Sequence, residues 1–407
     1  MRVLLAGAGG VGEALAVLLG RRSFCDHVVV ADIRPERAAF VASRLGDVPA
    51  EAVRMDAGDE EAVAELARAA RVDVLVNACD PRFVPSLFRA ALAAGVDYLD
   101  MAMSLSRPHP ERPHEEVGVP LGALQFDLAD RWEQAGRLAI VGMGVEPGLS
   151  DCFARYAADH LFASIDEIGV RDGSDLVVDG YEFAPTFNIW TTIEECLNPP
   201  VVYERGRGWY TTPPFSEPEV FDFPAGIGPS TCVNVEHEEV LLVPRWIDAG
   251  RVTFKYGLGE EFVGVLQTLH RVGLDSTAPV TVGDVRVSPR DVVAACLPDP
   301  ATIGDRMRGR TCAGTWVSGT GIDGRPRAAY LYHVSDNEET MGRHGCQAVV
   351  WQTALAPAAA LELRAEGVWK GAGVLGPEAF DAVPLLDLLE DLGEEWHVRE
   401  EAAPAGT

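Results

Sequence analysis

Val3-Leu4-Leu5-Ala6-Gly7-Ala8-Gly9-Gly10-Val11-Gly12 decides the fold of this chain. A short apolar strand runs into a G-x-G-x-x-G string, and helical character follows from Glu13 to Leu19. In that context the glycines have separate jobs. Gly7 permits the tight turn, Gly9 lets the backbone approach a pyrophosphate, and Gly12 lets the helix close on the strand. Gly10 and Val11 complete a loop whose amides, at a helix N-terminus, favour an anionic ligand. A dinucleotide is the expected occupant.

Working outward, Val28 to Ala31 reads as a second buried strand and Asp32 ends it, 20 residues after Gly12. An acid there accepts hydrogen bonds from the adenosine ribose and repels a 2′-phosphate, so NAD is favoured. Arg34 keeps NADP open, because an arginine can pair with that phosphate. Further strands are expected at Val53–Met55, Val74–Val76, Tyr98–Leu99 and Leu138–Val141, with helices between them. Strands without alternation, separated by helices, predict a parallel sheet covered on both faces. Asp56 follows the third strand, and Ala78, Cys79 and Asp80 follow the fourth. All four are candidate cofactor neighbours, Cys79 as a packing residue rather than a nucleophile.

The texture changes along the chain. Ser104 to Val117 reads as an exposed Pro-, His- and Glu-rich loop. From about 165, alternating segments at 165–178, 239–243, 251–256, 280–287, 315–318 and 328–334 read as strands of a mixed α/β domain. Helices are expected at 347–353, 358–366 and 384–392, with a frayed tail beyond Glu400. The division is 1–150 for a Rossmann dinucleotide domain, 151–340 for a substrate and dimerisation domain, and 341–407 for C-terminal helices returning to the first.

Composition excludes some functions. With 34 Lys plus Arg against 62 Asp plus Glu, the net charge is 34 − 62 = −28. Such a chain repels phosphate backbones and anionic membranes, so neither nucleic acid nor membrane is an expected partner. Eight cysteines without C-x-x-C spacing predict neither zinc site nor disulfide framework, and a reducing cytoplasm fits them. His109, His114 and Glu115, set among prolines, read as loop, so no metal is expected.

Several strings, taken in order and spacing, resemble the saccharopine dehydrogenase-like oxidoreductases, with carboxynorspermidine (carboxyspermidine) dehydrogenase nearest within them. They are Asn77-Ala-Cys-Asp-Pro81, Ala94-Gly-Val-Asp-Tyr-Leu-Asp100, Gly142-Met-Gly-Val-Glu-Pro-Gly-Leu149, His237-Glu-Glu239, Leu297-Pro-Asp-Pro300, Ile303-Gly-Asp-Arg306 and Gly367-Val-Trp-Lys-Gly-Ala-Gly-Val374. The resemblance implies a Rossmann domain, a mixed α/β substrate domain, C-terminal helices returning to the first, and a homodimer. It also implies reduction, by a nicotinamide cofactor, of the imine formed between an amine and an aldehyde such as aspartate semialdehyde. Two other readings stay open: lysine 6-dehydrogenase-like oxidation of an amino-acid amine, and a non-catalytic NAD(H)-binding sensor.

Imine reduction needs a proton donor near the nitrogen and charged partners for the substrate. Asp100, at the end of the fifth strand, could orient an amine or relay protons. His237 and Glu238 offer a donor and an anion, and Asp336 a partner for an ammonium. Arg306 suits a substrate carboxylate, and Glu239 a cationic amine. The Gly144–Leu149 stretch, with Pro147 in a first helical turn, could set its amides against the nicotinamide. This chain has Asp336-Asn337-Glu338 where the family has Asp-His-Glu, in a stretch expected to touch substrate.

Overall fold

The apolar N-terminal runs become a parallel sheet buried on both faces. The structure, a computed structural model, describes residues 1–402. Strands β1 (Arg2–Ala6), β2 (His27–Asp32), β3 (Ala50–Arg54), β4 (Val74–Asn77), β5 (Asp97–Asp100) and β6 (Leu138–Ile140) lie in the order β3-β2-β1-β4-β5-β6. Every pair is parallel. A seventh strand, Gly373–Leu375, comes back from the C-terminal region and pairs with β6. The strand order reverses at β1, between β2 and β4. In open α/β sheets that switch point is where ligands bind, outside the carboxyl ends of the strands.

A second, nine-stranded mixed sheet is built around Phe162–Ser174. That strand runs parallel to Ala249–Gly257 and antiparallel to Arg310–Gly321, which pairs in turn with Pro326–Asp336. The helices Leu149–His160 and Glu239–Trp246 pack on one face. The other face carries a small cluster of Phe223, Cys232, Cys312 and Tyr330.

The fold class is as expected; several elements differ. Residues 239–243 are helical within Glu239–Trp246, not a strand. A short buried apolar run fits either structure by periodicity, and here Glu239 opens a helix whose N-terminus favours an acid. Val280–Val287 is a hairpin turning at Gly283. The two helices expected after Gln347 form one, Ala348–Ala365, with Pro357 inside it. It packs on the helix α1 (Gly10–Leu19). The C-terminal segment serves both sheets, because Trp396–Glu401 pairs with Pro326–Asp336. Glu400 and Glu401 are therefore strand rather than frayed end; 403–407, where the rest of that expectation falls, lie outside the described residues. Among the described residues no helix is long and apolar enough to cross a membrane.

Candidate active site

The glycine loop sits at the switch point with each glycine under a different constraint. Gly7 has φ +104°, and a Cβ there would lie 2.5 Å from the Ala78 carbonyl oxygen. At Gly12 a Cβ would lie 2.2 Å from the Gly7 carbonyl oxygen, so this glycine seats α1 against the loop. Gly9 is different. Its φ of −74° suits any residue, and a Cβ there would meet nothing within 4 Å. Neither strain nor crowding by the protein accounts for Gly9; the close approach of a pyrophosphate does. The loop therefore fits a dinucleotide. A cavity of about 250 Å³ adjoins it, lined by Gly10, Glu13, Ala301, Asp305, Gln347 and Val350 among others.

Asp32 ends β2 as expected. Its carboxylate accepts hydrogen bonds from the Ala8 and Arg34 amides, each at 2.8 Å, which ties the acid to the loop. The Arg34 side chain is exposed, as is Asp56, whose carboxylate accepts from the Gly58 amide. Ala78 and Cys79 border the loop at the end of β4. Burial, with Asp32 and Asp80 nearby, pushes the Cys79 thiol up to about 12, which fits a packing role. Asp80 pairs with Arg82, whose guanidinium lies 4.3 Å from the Trp190 ring centroid. That stack ties the cofactor edge to the second domain.

The acids expected around His237 do converge. Its ring stacks on Phe254 at 3.8 Å and 5°. Its Nδ1 lies 2.6 Å from Glu239 and 3.5 Å from Glu238, and Nε2 has no protein partner among the described residues. The other Glu239 oxygen accepts from the Ser150 hydroxyl, and Glu238 accepts from the Met103 amide. All three are buried. Burial alone would lower the imidazole, yet Glu239, Glu238 and Glu195 together raise it to about 10. A nitrogen held by one carboxylate with the other left open is the geometry of a general acid. Among the described residues these three also form the one group whose donor atoms, within 4.8 Å of one another, could hold a metal.

Asp100 is sealed rather than open. It is 0% exposed, and its two oxygens accept from the Gly142 amide at 2.8 Å and the Gln125 side chain at 2.7 Å. Burial pushes it up to about 8, with Glu238 adding to the rise. It therefore braces the floor of the cleft.

Three expectations fail on placement. Asp336 caps the helix Asn337–His344 by accepting from the Glu338 and Glu339 amides, and it pairs with Arg310 at 3.1 Å. It does not join the His237 group. Asn337 is buried, donating to the Gly304 and Met307 carbonyls and accepting from the Ala348 amide. The departure from the family's histidine is thus a backbone staple. The Gly144 amide donates to the Pro147 carbonyl, and the helix begins only at Leu149, so this loop offers no free Gly144 amide and Pro147 stands outside the first turn. The expectation for Arg306 is not among these three: Arg306 is exposed and makes no ion pair among the described residues.

Other residues near His237 escaped the sequence reading. Glu146, Asp172, Glu195 and Tyr256 cluster beside it. Glu236 accepts from Ser106 at 2.8 Å and Asn198 at 2.9 Å. Burial pushes Glu195 up to about 8 and Glu236 up to about 7. Strand parity was the available signal: Asp172 is an acid in an otherwise apolar inward row with Ile168 and Val170.

A parallel sheet with a phosphate cradle at its switch point, facing a cleft with a proton donor, defines a dinucleotide-dependent oxidoreductase. The saccharopine dehydrogenase NADP binding domain matches residues 3–140, and the saccharopine dehydrogenase C-terminal domain matches residues 144–394. The chain belongs to the saccharopine dehydrogenase family and is an NAD(P)-dependent enzyme. It is 29% identical to carboxynorspermidine synthase of Vibrio alginolyticus, over 98% of this chain and 97% of that one. It is 28% identical to carboxyaminopropylagmatine dehydrogenase of Synechocystis sp., over 97% of each. Apo saccharopine dehydrogenase (L-Glu forming) from Saccharomyces cerevisiae superposes with a TM-score of 0.71 at 16% identity, covering 98% of this chain and 100% of that one.

Proposed function

We propose that the enzyme reduces the C=N bond of an imine formed between a cationic amine and an aldehyde, using NADH in preference to NADPH. The observation that carries this reading is the His237–Glu239 pair set among buried carboxylates. Glu146, Asp172, Glu195, Glu236 and Glu238 surround it, and His237 is the one cation paired with any of them among the described residues. Burial pushes these carboxyls up towards their neutral form, and an ammonium is the partner that would ionise them.

The nicotinamide, when bound, supplies the hydride. Glu239 fixes the imidazole through Nδ1, and Nε2 delivers the proton to the imine nitrogen. Asp100 holds Gly142 and Gln125 in place beneath it. Arg306, exposed and unpaired, suits a carboxylate on the substrate. The names of the two curated relatives both denote carboxyl-bearing amines, which agrees with such a group. We also infer a cytoplasmic homodimer that uses the second sheet.

The test mixes purified protein with NADH or NADPH, aspartate semialdehyde and a panel of amines, and follows the reduced-nicotinamide absorbance. Lysine with NAD is the reverse control. Consumption with an amine–aldehyde pair is expected. No turnover with any pair, despite cofactor binding, would overturn the reading in favour of a sensor. Asp32→Ser is expected to lower the NAD-over-NADP preference by about ten-fold or more, the scale of one lost charge-assisted hydrogen bond. An unchanged ratio would refute the assignment of NADH.

A further inference from the structure

The glycine loop is gripped by two side chains that meet at Ala8, the buried residue between Gly7 and Gly9. Asp32, at the end of β2, accepts from the Ala8 amide at 2.8 Å. Arg37 takes the other side of the same residue. It stands in the helix Pro35–Ser43, which begins soon after β2. Its Nε and Nη2 both donate to the Ala8 carbonyl, at 3.1 and 3.0 Å. The turn between strand and helix thus brings an acid and a base onto one residue of the loop.

A trans peptide carries its C=O and N–H in one plane, pointing in opposite directions. The Ala8–Gly9 bond is trans. Fixing the Ala8 carbonyl therefore fixes the Gly9 N–H and aims it away from Arg37. That amide has no acceptor among the described residues. It belongs to the glycine that caps α1 and whose Cβ would meet nothing within 4 Å, the point where a pyrophosphate comes closest. The bond before Ala8 is set in the same way. With its N–H held by Asp32, the Gly7 carbonyl turns to α1, where a Gly12 Cβ would lie 2.2 Å from its oxygen. Arg37 itself is occupied. Glu13 of α1 lies 3.4 Å from Nη2 and balances its charge, and the guanidinium stands 5.1 Å from the centroid of the Phe40 ring. Two N–H groups converging on one carbonyl is a hold that the planar guanidinium provides and a lysine does not.

We propose that Arg37 is a positioning residue for the cofactor: through the Ala8 carbonyl it aims the Gly9 amide at the pyrophosphate, without touching the dinucleotide. The role is the same for NADH and NADPH, which share that group, and for any amine the enzyme takes.

The test is fluorescence titration of the intact Arg37→Met protein with NADH and NADPH, and calorimetric titration with adenosine, each beside the wild type. Affinity for both dinucleotides is expected to fall about ten-fold, the scale of one lost charge-assisted hydrogen bond, while adenosine, which has no phosphate, binds within about two-fold of the wild type. The loss is expected to be equal in low and high salt, because salt screens a distant charge and not the direction of a held amide. Arg37→Lys, which keeps the charge but not the fork, is expected to show the same pattern at a smaller size, and serves alone if thermal unfolding shows that Arg37→Met is not folded. A loss confined to NADPH would make Arg37 a direct partner of the 2′-phosphate and overturn the proposal. So would a loss that vanishes in high salt, an equal loss for adenosine, or unchanged affinity in a folded variant. No substrate enters these titrations, so their outcome is independent of whether imines are reduced.

Discussion

The dinucleotide cradle follows the carboxyl end of β1 and the acid cleft reaches the carboxyl end of β5 through Asp100 and Met103, yet they are built by opposite means. The cradle is a continuous run from Gly7 to Gly12 whose polar partners lie inside the protein; what it offers is room, at Gly9. The cleft draws on β5, the turn at 142–150, two strands, the helix Ile189–Leu197 and the segment 236–239. What it offers is a group of buried carboxyls, pushed up by burial, with His237 as their one paired cation among the described residues. One ligand is therefore read from atoms the protein omits, the other from carboxyls it buries.

The largest effect that would break this comparison is at the donor. His237→Asn keeps the segment but removes the acid. It should lower the rate of imine reduction by about 10²- to 10⁴-fold, the usual worth of general acid–base catalysis. Dinucleotide affinity, measured by fluorescence titration, should stay within about two-fold of the wild type, where stabilisation shifts little by linkage. A loss below ten-fold would mean that solvent, not His237, protonates the nitrogen.

Next comes a pair of glycines in one loop. Gly9→Ala should weaken dinucleotide binding at least ten-fold while leaving the melting temperature of the free protein nearly unchanged, because its Cβ has open space. Gly12→Ala should destabilise the fold itself by about 1–3 kcal/mol, since its Cβ would press on the Gly7 carbonyl. Cofactor titration and thermal unfolding separate the two. Unaltered cofactor affinity in Gly9→Ala would show that the space belongs to something other than the pyrophosphate.

A smaller effect sharpens the electrostatics of the cleft. The protonated form of His237 gives the proton, so the reductive rate falls as pH rises through its titration, at about 10. Glu239, Glu238 and Glu195 raise that value, and Asp172 lies close enough for His237 to lower its own. Glu239→Gln removes a raising charge, so the alkaline limb should move to lower pH by about 1–2 units, the scale of one adjacent charge. The amine's own titration does not move with the mutation, which makes the shift diagnostic in the pH profile of kcat/KM. An unmoved limb would separate His237 from the reaction.

The contrast also explains what was legible. Gly7 to Gly12 and Asp32 could be read because their contacts are local in sequence and each residue type has a geometric reason. The His237-Glu238-Glu239 string was legible as a cluster of donors. Glu146, Asp172 and Glu195 were not, because strand pairing and helix packing, not spacing along the chain, bring them together. Glu239–Trp246 was misread as a strand because Val240 to Val243 is uniformly buried and gives no period. Asn337 was taken for a change at the substrate because its chemical type changed, whereas its three hydrogen bonds all go to backbone.

Asp336 gives the smallest effect and the cleanest test of that lesson. By residue type it belongs with the amine-binding acids; by position it is a helix cap. Its Oδ1 accepts from Glu338 at 3.0 Å and Glu339 at 3.1 Å, and its other oxygen meets Arg310. Asp336→Ala should therefore cost about 1 kcal/mol of stability, the ordinary loss of an N-cap. The KM for any amine should change by less than about two-fold, against the ten-fold or more that losing an ammonium partner of about 1.5–3 kcal/mol would produce. Denaturant unfolding and steady-state kinetics on the same preparation decide it. A raised KM with unchanged stability would return Asp336 to the substrate and show that this helix end moves when the amine binds.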